Sequence, residues 1–140
     1  MQGYETTREQ VWVDALGELI SHFTHAVRFG ELLFISGCAP IDTDQNLVGG
    51  DDAASQARQV LRNIGEILQT AGMDFADVLK VTVYLTDIND RAKINPVRKE
   101  FFGASRPAST LVEVSQLAIP GMRVEIEAIA GRGHVRPETA

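Results

Sequence analysis

The residue types best suited to chemistry are Glu125 and Glu127, two positions apart in a stretch of β-branched and small apolar residues. In extended chain alternate residues share a face, so the two carboxylates stand about 6–7 Å apart on one side of a strand. If that face lines a cleft, a carboxylate there can orient a water molecule or take its proton. Arg123 falls on the same alternation, and its guanidinium can hold Glu125 ionised or meet an acidic ligand. A solvated sheet face gives the same pattern, and the spacing alone leaves both readings open.

Other reactive groups carry weaker signals. Cys38 is the single cysteine and follows Ser36-Gly37 at a strand end, which reads as a small half-buried residue before it reads as a reactive thiol. His22 and His25 point to opposite faces of extended chain and have no third ligand nearby, while His134 belongs to a polar tail; no metal site is expected. Asp42, Asp44 and Asn46 imitate the opening of a calcium loop. Leu47 occupies its glycine position and Ala53 the position of its bidentate carboxylate, so a turn is expected instead. The chain holds no G-x-S-x-G elbow, phosphate loop or dinucleotide fingerprint.

The elements that must position these groups are legible from periodicity. Thr24 to Phe29 and Leu32 to Ser36 flank Gly30 as a hairpin, and Asp42 to Gly50 is a polar loop. Ala57, Val60, Leu61, Ile64, Ile67, Leu68 and Ala71 recur at helical spacing, with Asp51 or Asp52 to cap the start and Gly72 to stop the end. Val78 to Leu85 is a strand, and Ile88 to Phe102 a second helix that Pro96 should break or restart. Strands over Ser109 to Ser115 and Arg123 to Ala130 follow, the latter with Val124, Ile126, Ala128 and Ala130 on one face. Val13, Leu16 and Ile20 hint at a short helix or a packed arm, weakened by Gly17. The order β-β-α-β-α-β-β predicts an α+β domain, a mixed sheet with two helices on one face. Its uncovered face needs burial, so a homo-oligomer is expected.

The 140 residues fit a single domain, with residues 1–22 as an N-terminal arm and 132–140 as a polar tail. Thirteen basic against nineteen acidic residues give a formal charge of −6, which argues against nucleic acid and anionic membranes as partners. A lone cysteine precludes an intrachain disulfide and fits a reducing, cytoplasmic setting; no apolar run reaches membrane-spanning length.

Three segments in order, I-S-G-C-A-P (Ile35 to Pro40), R-P-A-S-T-L-V-E-V (Arg106 to Val114) and V-E-I-E-A-I-A (Val124 to Ala130), resemble the Rid (reactive intermediate deaminase) family, also known as YjgF or L-PSP endoribonuclease. The A-A-S-Q-A-R-Q-V-L-R-N-I run and the N-D-R-A-K-I-N segment fit as well, so the resemblance covers roughly Phe23 to Gly131. It implies a chorismate-mutase-like (YjgF/L-PSP) fold, assembled as a homotrimer with a central barrel and sites in the clefts between subunits. Family deaminases hydrolyse imines and enamines such as 2-aminoacrylate to ketoacids and ammonia, with neither metal nor organic cofactor.

Carried over residue by residue, the resemblance implies a changed site. Ser109 stands where the deaminases place an arginine that clamps the substrate carboxylate, and a serine hydroxyl brings no charge. Phe23 stands for a site tyrosine, and Leu111 for a cysteine found in many members; Ser36, Asn95 and Glu125 match the family, Glu125 as the residue tied to the attacking water. Arg106, three residues before Ser109, points to the opposite face of extended chain, leaving Arg123 as the substitute cation; without one, the pocket should prefer a neutral or less acidic ligand. The expectation is a small-molecule-binding protein, as an enzyme a cofactor-free hydrolase of an imine, enamine or related activated bond, but not a standard 2-aminoacrylate deaminase. A non-catalytic ligand-binding or regulatory trimer is the alternative, and ribonuclease activity the weakest reading.

Overall fold

In the computed structural model, which describes residues 7–133, the β-branched runs form a single six-stranded mixed sheet. The strands are β1 (Arg8–Val11), β2 (Ala26–Phe29), β3 (Leu32–Cys38), β4 (Val78–Leu85), β5 (Ala108–Glu113) and β6 (Val124–Gly131), and the helices are α1 (Ala53–Thr70) and α2 (Arg91–Phe102). The spatial order is β1-β2-β3-β6-β4-β5, with β4–β5 parallel and every other pair antiparallel. Of the polar tail, residues 134–140, and with them His134, lie outside the described part.

The α+β class with two helices stands, but the expected central barrel does not. The sheet is open, with β1 on one edge and β5 on the other, and no ladder joins them. Closure requires the first and last strands to pair; here β5 pairs with β4 alone.

α1 packs on β3 and β6 and runs beside α2. Its apolar stripe of Ala57, Val60, Leu61, Ile64, Ile67 and Leu68 is buried against Leu33, Ile35, Val81, Val83, Ile126 and Ala128. Burying each larger side chain stabilises the fold by about 1.5–3 kcal/mol. The Asp52 carboxylate caps α1 by accepting from the Ser55 amide at 3.0 Å. α2 passes through Pro96 unbroken. The carbonyl of Ala92 loses its helical donor there, but Ala92 and Pro96 are exposed and water can serve instead.

Two local readings change near the N-terminus. Within the expected arm, Arg8–Val11 adds an edge strand by pairing with β2. The helical spacing of Val13, Leu16 and Ile20 yields only one 3₁₀ turn, Asp14–Leu16, because Gly17 leaves the helical region at φ 76°.

A buried glutamine ties these layers together. The Gln56 side-chain amide donates to the carbonyls of Gly50 and Gly121, at 2.7 and 2.9 Å, and its oxygen accepts from the Arg123 amide at 2.7 Å. It thereby fastens the segment leading into β6 to the first turn of α1. Gln56→Leu keeps the volume but strands two carbonyls and an amide, so it should lower the unfolding free energy by about 3 kcal/mol, measured by urea denaturation.

Candidate functional site

Glu125 owes its setting to an irregularity in the pairing of β3 with β6. Ile35 pairs with Ala128 and Cys38 with Ile126, so β3 carries one residue more than its partner across this interval. Such a bulge bends a strand and re-aims its side chains. Gly37 lies in it, against the Glu125 carboxylate; a Cβ added at Gly37 would stand 2.5 Å from Glu125 Oε2. The absence of a side chain there is what gives the carboxylate its space.

A cleft of about 400 Å³ opens at this point, and Phe23, Ser36, Cys38, Ile119, Met122 and Glu125 are among the residues that line it. Glu125 is half-buried, and among the described residues no group donates a hydrogen bond to its carboxylate. Burial first, and the nearby Glu127 charge second, push its pKa above the ordinary carboxylate value. Glu127 is held differently, accepting from the Tyr84 hydroxyl at 3.1 Å. The pair that sequence spacing presents as equivalent is therefore divided into one tethered carboxylate and one free.

The walls of the cleft are specific in what they offer. Phe23 is 41% exposed and presents its ring. The Ser36 hydroxyl donates to the Thr24 carbonyl at 2.6 Å, leaving its lone pairs to accept from a ligand. The Cys38 thiol is buried, and desolvation together with the Glu125 charge raises its pKa to about 12. At neutral pH it is a neutral packing group, as its position in sequence suggested. His25 also lines the cleft, with its Nδ1 accepting from the Val13 amide at 3.0 Å. Because Nδ1 accepts, the neutral ring carries its proton on Nε2, and burial lowers its pKa. Sequence spacing showed only a poor metal ligand here; the amide that fixes the tautomer comes from Val13, just before the 3₁₀ turn.

Asn95 and Ser109 stand elsewhere. They line a second cleft of about 710 Å³ with Arg98, Lys99, Phe102 and Arg106. Strand register explains the separation. Ser109 pairs with Val81, which pairs with Ala128, which pairs with Ile35, a row on the helix-covered face. Glu125 pairs with Tyr84, and Tyr84 with Val112, a row on the open face. Leu111 shares the helix-covered face with Val83, packs against the core and lines neither cleft.

Arg123 precedes β6 and is already engaged. Its guanidinium contacts Asp90 and Asp51 at 2.9 Å each and Asp87 at 3.8 Å, with Asp90 fully buried. Those hydrogen bonds raise its pKa, and it lines neither cleft with Glu125 nor with Ser109. Asp51 and Asp87 lie far from it in sequence, so spacing could not reveal this engagement. Among the described residues no group of histidine, cysteine and carboxylate side chains is arranged to hold a metal ion, and no helix is long and apolar enough to cross a membrane.

Comparison with known proteins agrees with this architecture. The family model described as endoribonuclease L-PSP matches residues 15–131. A RutC family protein of Pyrococcus horikoshii is 45% identical over 123 residues, spanning 88% of this chain and 97% of its own. The human 2-iminobutanoate/2-iminopropanoate deaminase is 39% identical over 114 residues, spanning 81% of this chain and 82% of its own. Among solved structures, Escherichia coli TdcF with bound serine superposes with a TM-score of 0.82 at 32% identity, covering 89% of this chain and 99% of that one. A shared segment order, a matching fold and these identities together place the chain in the Rid (YjgF/L-PSP) family.

Proposed function

We propose that this protein is a cofactor-free hydrolase of a small imine or enamine, with Glu125 handling the attacking water. The observation that carries this reading is the Glu125 carboxylate itself, half-buried beside Gly37 in an otherwise largely apolar cleft and, among the described residues, without a protein donor. Relatives described as 2-iminobutanoate/2-iminopropanoate deaminases supply the bond type. Water adds to the carbon of the C=N bond while Glu125 takes one of its protons. The nitrogen, protonated, leaves as ammonia when the carbinolamine collapses to the ketone. Ser36, whose hydroxyl proton is engaged by Thr24, accepts from the substrate N–H, and the Phe23 ring packs on the carbon skeleton. Ser109 brings no charge, so the reading commits to the scissile bond and not to a carboxylate clamp on β5.

The working unit in this reading is a homotrimer, in which the Glu125 cleft of one copy meets the Asn95–Ser109 cleft of the next. Two features support it. The half-sites lie on opposite faces of one sheet, and the open face exposes Phe29, Leu32, Phe34 and Val112 to solvent. Exposed aromatic and aliphatic side chains on one face mark a surface made to be covered. Small-molecule recognition at such a junction also fits the acidic balance of the chain better than RNA does.

The direct test is hydrolysis of 2-iminobutanoate generated enzymatically in situ, beside a neutral imine, with ketone and ammonia both followed. Accelerated release of both products is expected; no acceleration with any C=N substrate overturns the reading. Glu125→Gln should lower kcat/KM by about 10²–10⁴-fold while ligand binding persists. Because the acting form is the carboxylate and its pKa is raised, kcat/KM should fall as pH drops through a value above the ordinary glutamate range. That acidic limb should vanish in the glutamine variant.

Gly37→Ala tests the positioning separately. Its methyl group forces the carboxylate aside, so kcat should drop by about tenfold or more with KM little changed. A variant with wild-type kcat would remove Gly37 from the account.

A further inference from the structure

Arg98, on α2, is the feature of the second cleft that no motif announces. Its Nη2 donates to Ser109 Oγ at 2.9 Å, and this hydroxyl is its only hydrogen-bond partner among the described residues. Among the described residues no carboxylate pairs with it, whereas Arg58 meets Glu100 and Arg123 meets three aspartates, and half-buried Arg28 is held by the Ala71 carbonyl. Arg98 is nevertheless half-buried, and burial pushes its pKa below the ordinary arginine value. Its remaining N–H donors have no protein partner among the described residues, and Arg98 lines the cleft, where an anion can take them up. The surroundings supply none: Asn95, Lys99, Phe102, Gly103, Arg106 and Pro107 form the rest of the wall, two cations and no acid.

We propose that Arg98 is the group that binds the carboxylate of this protein's ligand, with Ser109 orienting the guanidinium and Asn95 adding a polar contact. The inference rests on the small-molecule reading above and names the chemical class of that ligand, a small carboxylate. It replaces the expectation of a neutral ligand. The charge missing from β5 is delivered across the cleft from α2, and Ser109 becomes the acceptor that holds it. A planar guanidinium with two adjacent free N–H groups suits a carboxylate's two oxygens. Lys99 and Arg106, both exposed, add long-range attraction without a fixed fork.

The test uses 2-oxobutanoate and its neutral counterpart 2-oxobutanamide as binding probes on the intact protein, by calorimetry and by NMR titration. The wild type should bind the acid about tenfold or more tightly than the amide, the scale of one charge-assisted hydrogen bond. Arg98→Gln should bring the acid down to the level of the amide and leave the amide unchanged. Arg98→Lys should retain part of the preference, and Ser109→Ala should weaken it by loosening the guanidinium. Thermal midpoints and circular dichroism of the variants establish that each is folded. The proposal is overturned if wild type binds 2-oxobutanoate no better than the amide, or not at all, or if a folded Arg98→Gln retains the preference. Turnover is scored independently. An Arg98-dependent acid preference without hydrolysis sinks the catalytic reading alone, and hydrolysis of a neutral imine with no such preference sinks this one alone.

Discussion

The site depends on one misfit in the sheet: the extra residue that β3 inserts opposite β6 between Ile35 and Cys38. Regular pairing would run side chains past one another at even spacing, with Glu125 simply one more residue on an open face. The bulge shifts the backbone of Ser36 and Gly37 against the Glu125 carboxylate, and only a glycine leaves that space free. The same bend turns Ser36 so that its hydroxyl reaches the Thr24 carbonyl, and its amide the carbonyl of His25. Two properties of the cleft therefore have one cause: a carboxylate with room around it and a serine left as an acceptor. β6 is fixed at its start by Gln56, whose bonds to Gly121 and to the Arg123 amide set where the strand begins.

The layer architecture then decides which groups can meet. Sheet residues divide between two faces, and the rows traced through Ser109 and Glu125 differ in parity. No rotation of a side chain brings them into one cleft of one chain. What looks in sequence like a single list of site residues divides between two clefts: one with a carboxylate and an aromatic ring at the bulge and a basic one between α2 and β5. In the proposed trimer a ligand touching both sits where two copies meet, with the apolar open face as the surface for association.

Most of the fold was legible because burial enforces period. The α1 stripe, the alternation in β6 and the Val78–Leu85 strand are all places where one face must be apolar, so spacing alone locates them. The failures have a different origin. The barrel came with the family resemblance and concerns closure, which a single open sheet whose edge strands β1 and β5 do not pair with each other does not have. Pro96 was given too much weight, since a proline on a wet helix face costs one hydrogen bond that water replaces. Arg123 and Arg98 show the limit of spacing for long side chains. Strand alternation put Arg123 beside Glu125, but its reach takes it to Asp51, Asp87 and Asp90, whereas Arg98 crosses from a helix to a strand edge. Arginine side chains are long enough that their partners are chosen in space, and sequence spacing has no hold on that.

Keeping Arg123 occupied has a chemical consequence for Glu125. A guanidinium within hydrogen-bond reach of a carboxylate favours the ionised form and makes it a weak base. Three aspartates take that cation out of play, two of them at hydrogen-bonding distance. Within its own chain Glu125 is left to burial and to the repulsion of Glu127, both of which strengthen its hold on a proton. A carboxylate so placed is better matched to accept a proton from water and return it to a leaving amine than one locked in an ion pair. The acidic cluster around Arg123 thus acts on the site by subtraction. The cation nearest to Glu125 in sequence is withheld, and Arg98, bonded only to Ser109 among the described residues, stands on the far face of the sheet.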